Sequence, residues 1–130
     1  MKNLLLFLMF LTIGTCVFSQ SSKTLVKPFT TEATKVFVNF DGNKTINYWD
    51  SKYIKFEITI NTNVSSEILN SLVNAGRYEL TNSVDNNTII INMFKIKKTI
   101  EIGGNKLIEN LDIKIWIPKG GELLNSIDSH

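Results

Sequence analysis

The chain is short of the residues that carry most enzymatic chemistry: its 130 residues include one cysteine, one histidine, two prolines and a single arginine, Arg77. One cysteine cannot form a disulfide framework. It is Cys16, inside the N-terminal apolar segment, so the chain beyond it has no thiolate nucleophile and no sulfur-ligated zinc. The lone histidine, His130, has no chain after it to hold the imidazole, whereas a Ser-His-Asp triad needs that ring fixed by packing and a second hydrogen bond. There is no phosphate-binding loop, no dinucleotide fingerprint and no calcium loop of alternating Asp and Asn. Excess charge is also lacking. Lys and Arg total 14 against 12 Asp and Glu, and the formal charge of +2 loses a unit when Lys2 leaves with the export signal. That balance gives no electrostatic case for nucleic acid or an anionic membrane surface. With 20% charged and 43% hydrophobic residues, a collagen-like or highly charged disordered chain is excluded as well.

What is present begins with an export signal. Lys2, the apolar run Leu4 to Leu11, and then Gly14, Thr15 and Ser19 follow the charged, apolar and small-residue order of a secretory signal peptide. The apolar run is much shorter than the roughly 20 residues that span a bilayer. Val17 and Ser19 occupy the −3 and −1 places, so cleavage between Ser19 and Gln20 is expected. A cysteine just after an apolar run can be lipid-modified, but Ile13-Gly14-Thr15 is a poor context for it, and Cys16 is read as part of the discarded signal. The remainder is the size of one domain: residues 20–34 as a leader with a short strand around Thr24 to Lys27, then a single β-rich domain over residues 35–130 whose C-terminal end is read as open to truncation.

Period-two alternation dominates that domain. Val36, Val38 and Phe40 share one face of a strand, and Asp41-Gly42-Asn43 predicts a tight hairpin leading to a second strand over Thr45 to Trp49. Ile54, Phe56, Ile58 and Ile60 alternate with Lys55, Glu57, Thr59 and Asn61; Leu111, Ile113, Ile115 and Ile117 alternate with Asp112, Lys114 and Trp116, and Pro118 stops the run. Further strands are expected at Tyr78 to Thr81, Thr88 to Met93 and Thr99 to Ile102, separated by turn clusters at 85–87 and 103–105. One segment changes period. Ile68, Leu69, Leu72 and Val73 make a helical stripe between Ser65, a cap, and Gly76, a terminator, so a helix over about 65–76 should lie on the sheet. The expected fold is mainly β: a small β-sandwich or a short solenoid-like sheet with one packed helix, its core including Val36, Val38, Ile54, Phe56, Ile58, Ile60, Ile113, Ile115 and Ile117.

Ile, Asn and Lys all use AT-rich codons. The acceptor patterns at Asn43-Lys44-Thr45, Asn63-Val64-Ser65 and Asn86-Asn87-Thr88 are therefore read as chance matches in an Asn-rich chain.

Val36 to Gly42, Ile46 to Asp50 and Ile54 to Ile58 form a series of strand, Gly turn, strand ending in Trp49-Asp50, and strand. Ile113 to Gly120 adds a strand closed by a Pro-Lys-Gly turn. This series resembles exported bacterial proteins, common in Bacteroidetes, grouped as adhesin-like β-strand repeat proteins. The resemblance implies an exported β-sandwich or parallel β-solenoid with no catalytic residues to carry over, and it makes Glu122 to Ile127 the first strand of a repeat region.

The functional expectation is a non-enzymatic structural or binding domain of the cell envelope, with no cofactor and no metal ligands, whose partner is an envelope protein or glycan. Aromatic residues carry the binding side of it. Trp116 falls on the polar face of its strand, where it either anchors a partner or is covered as core, while Trp49 and Tyr48 read as packing. Two alternatives remain: a carboxylate-based glycan hydrolase using residues such as Asp41, Asp50 or Asp112, and a periplasmic assembly or inhibitor protein that pairs through a strand edge.

Overall fold

The computed structural model describes residues 20–125. The segment expected to be an export signal, with Cys16 and Ser19, and residues 126–130 with His130, lie outside the described residues. In chain order the elements are β1 (Ser21–Phe29), β2 (Lys35–Val38), β3 (Asn43–Trp49), β4 (Ile54–Thr62), α1 (Ser66–Asn74), β5 (Thr81–Asp85), β6 (Thr88–Asn92), a 3-10 turn (Phe94–Lys97), β7 (Glu101–Ile102), β8 (Asn105–Lys106), β9 (Glu109–Pro118) and β10 (Glu122–Leu124).

β4 and β9 form the centre because their alternation is the most regular. They pair antiparallel, with Ile58 opposite Ile113 and Phe56 opposite Ile115, so two rows of branched side chains share one face. β1 flanks β4 antiparallel and β3 flanks β9 parallel, giving a sheet ordered β1-β4-β9-β3. The second sheet is ordered β10-β2-β6-β5, and β7 and β8 make a separate ribbon. Val36 and Val38 of β2 and Ile89 and Ile91 of β6 join the apolar rows of β4 and β9 in one core, so the sheets form a sandwich and not a solenoid. All nine expected core residues are buried. Full burial of such side chains is worth about 1.5–3 kcal/mol each.

The helix forms as the stripe requires. The Ser65 hydroxyl accepts from the Ile68 amide at 3.3 Å, Leu69 is buried, and Gly76 ends the turn at φ +82°. α1 packs beside β1, where Lys23 Nζ donates to Asn70 Oδ1 at 2.8 Å. Among the described residues no helix is long and apolar enough to cross a membrane.

Several expectations change. Residues 21–29, placed within a leader, form β1, which is in register with β4 along all nine residues. Lys23 and Lys27 stand opposite Ile60 and Phe56 on its core-facing side, so its polar sequence hid a strand that only Leu25 and Phe29 anchor. Pro28 is tolerated because β1 is an edge. The Asp41-Gly42-Asn43 turn is not a hairpin: β2 and β3 belong to different sheets, and the chain crosses between them. Gly42 is needed there for closeness, since a Cβ would lie 2.7 Å from Ile113 Cδ1 and 3.0 Å from the Leu111 carbonyl. Tyr78 to Thr81 is mostly a connector with Tyr78 and Leu80 buried, and the strand starts at Thr81. The strand over 99–102 shrinks to the two residues of β7. β10 pairs parallel with β2 and so extends a sheet of the sandwich.

Candidate functional site

The outer face of the first sheet carries an aromatic corner where β3 leads into β4. Trp49 ends β3 on that face, and its Nε1 donates to the Tyr53 carbonyl at 2.9 Å, pinning the bend between the strands. The bend sets the Tyr53 ring edge-on to Trp49, with centroids 4.8 Å apart and planes at 68°. Trp116 of β9 joins them at 6.3 Å from Trp49. Lys55 stands opposite Trp116 in the β4–β9 register and holds its ammonium 4.3 Å from that ring and 5.4 Å from Trp49. The rings lie in contact range for aromatic pairing, and the ammonium over the Trp116 π-face is an attractive cation–π geometry.

Trp116 is thus on the polar face, half-buried among its neighbours. Trp49 is half-buried beside it. Tyr48, expected as packing, is 54% exposed: it points to the core side of edge strand β3, opposite Ile117, beyond the cover of the second sheet.

The three carboxylates considered for hydrolysis do not come together. Asp50 sits beyond the end of β3 in an exposed pair with Lys119 at 2.8 Å. Asp112 lies on the outer face of β9, accepting from Asn43 Nδ2 at 3.1 Å and Asn61 Nδ2 at 3.2 Å. Asp41 precedes β3 at its other end and lines a cleft between the sheets. The seven residues of β3 span about 20 Å, so Asp41 and Asp50 are too far apart for the roughly 5–10 Å of a glycosidase pair. Among the described residues no three His, Cys, Asp or Glu side chains are placed to hold a metal ion.

The cleft that Asp41 lines has a volume of about 630 Å3. At its base Arg77 and Glu109 form a buried, two-pronged pair: Nε donates to Oε2 at 2.9 Å and Nη2 to Oε1 at 2.7 Å. Nη1 also donates to the Lys95 carbonyl at 3.0 Å, tying the 3-10 turn to β9. The hydrogen-bonded Glu109 carboxylate raises the Arg77 pKa above its usual value. Tyr78 is buried beside the pair, its hydroxyl without a partner in hydrogen-bonding geometry among the described residues. Burial first, then the Glu109 carboxylate, push its pKa well above that of an ordinary tyrosine.

Sequence reasoning singled out Trp116 but not Tyr53 or Lys55, whose place at the corner depends on strand register. It also passed over the Arg77–Glu109 pair, for which the solitary arginine was the available signal. No protein-family model, no curated protein and no solved structure matches the chain.

Proposed function

We propose that the protein is an exported, non-catalytic binding domain of the cell envelope and that the aromatic corner is the surface with which it takes a glycan. One observation carries this reading: Trp49, Tyr53 and Trp116, with Lys55 among them, gather on the solvent side of a sheet whose central strands β4 and β9 use their other side as core. Aromatic rings fixed on a rigid sheet present apolar faces to the C–H face of a pyranose at little entropic cost, and the lysine offers a polar contact at the rim. The resemblance to exported adhesin-like proteins, the signal sequence and the scarcity of nucleophiles and ligand residues point the same way. The dispersal of Asp41, Asp50 and Asp112 gives the hydrolase alternative no support.

A second reading has one observation of its own. β5 is an edge strand exposed along all five residues, with Val84 60% exposed, which suits pairing with a partner strand. Co-sedimentation with purified envelope polysaccharide separates the two. The glycan reading expects retention that falls about tenfold or more in Tyr53→Ala and in Trp116→Ser. Retention unchanged in both variants, or no retention of the parent, contradicts it.

A further inference from the structure

The cleft between the sheets lies at the end of β3 remote from the aromatic corner, and its lining is chemically two-sided. Lys44 lines it from the core-facing side of β3, Lys97 and Lys98 from the end of the 3-10 turn, and Lys106 from β8. Its walls mix apolar and polar groups, Phe40, Ile100, Leu107 and Leu111 beside Asn39 and Thr99. Arg77 adds no free charge, because Glu109 and two main-chain carbonyls occupy its donors. The lysines differ. Among the described residues none of the four has a carboxylate within bridging distance or a side-chain hydrogen bond; Glu101 faces Lys106 across the ribbon without bridging it, and the lining's own acidic groups are Asp41 and the Glu109 already paired with Arg77.

Like charges gathered around one opening repel each other, and an anion placed among them relieves that repulsion. The cleft's volume is in the range of small-molecule sites, and the mixed groups of its walls suit the body of a sugar while its rim suits a charged substituent. We propose that this cleft binds an acidic sugar, a pyranose carrying a phosphate or carboxylate, with the anionic group held by Lys44, Lys97, Lys98 and Lys106. It stands apart from the glycan reading of the aromatic corner and can be true or false independently of it.

Calorimetric titration of the purified protein with glucose 6-phosphate, glucuronate, glucose and inorganic phosphate tests the proposal, with the tryptophan emission followed in parallel. Both tryptophans lie at the far corner, so emission reports whether a ligand has gone there instead. The expected result is binding of the sugar phosphate or the uronate, at least several-fold tighter than that of glucose or phosphate, weakening as salt is raised and leaving emission unchanged. Lys97→Gln/Lys98→Gln should weaken it about tenfold or more while keeping the melting temperature, because both side chains are exposed. Lys44→Gln, on a different element, should weaken it in the same direction. No binding of either acidic sugar, equal binding of inorganic phosphate, affinity unmoved by the lysine substitutions, or a changed emission would each overturn the proposal.

Discussion

The Tyr78 hydroxyl and the Arg77–Glu109 pair are two buried polar features whose substitution reads out what burial does to a polar side chain. Removing one partner of a buried ion pair leaves the other charge uncompensated, so Glu109→Ala should cost about 3–5 kcal/mol, read as a lower denaturant midpoint. Tyr78→Phe should cost nothing or stabilise slightly, since it removes a buried hydroxyl that has no partner among the described residues. A loss above about 1 kcal/mol would show that the hydroxyl makes a bond in solution. The same tyrosine sets an alkaline limit. Its folded pKa is raised above the ordinary 10.0, so the folded state holds its proton where the unfolded state has released it. Its contribution is fully present below about pH 10 and is lost as pH rises beyond that. Stability measured against pH should fall less steeply above this point in Tyr78→Phe than in the parent.

At the scale of elements, regular alternation carried the expectation and irregularity defeated it. β4, β9 and α1 each repeat one period long enough that burial has a single solution, and their core positions follow from the residues alone. Phe56 is the clearest example: it is fully buried, edge-on to Phe29 at 5.6 Å, and Phe56→Ala should cost about 3–5 kcal/mol. Of β1 only the short stretch from Thr24 to Lys27 was legible, because an edge strand beside a helix can carry lysines on its inner side. The aromatic corner was half legible, since alternation put Trp116 outward, but only the β4–β9 register brings Lys55 to it. The turn after β2 misled for a different reason. Asp-Gly-Asn is strong hairpin chemistry, yet a glycine can be required by crowding as well as by a positive φ, and Gly42 is held by crowding. Gly42→Ala should therefore destabilise by about 1–3 kcal/mol through overpacking against Ile113 and Leu111, and a neutral melting curve would contradict that origin.

Residues 20–125 form a two-sheet sandwich with a small ribbon, whose core is occupied and whose distinctive chemistry lies outside it: aromatic rings at one end of β3 and lysines at the other. Nothing in the proposed function draws on a metal or a thiol. Thermal scans of residues 20–130 with EDTA, with calcium and with dithiothreitol should overlay, because a ligand selective for the native state raises the melting temperature by mass action. A rise of several degrees with calcium would place an ion in the binding reading. The central claim is tested most directly by tryptophan emission during titration with neutral oligosaccharides from envelope polysaccharide, since the two tryptophans of the chain are both at the proposed surface. The account predicts a saturable change in emission for the parent, a weaker response in Tyr53→Ala, and recovery of the saccharide uncleaved. Emission unmoved by the neutral oligosaccharides while the protein retains them would contradict it, as would saccharide recovered in shortened form.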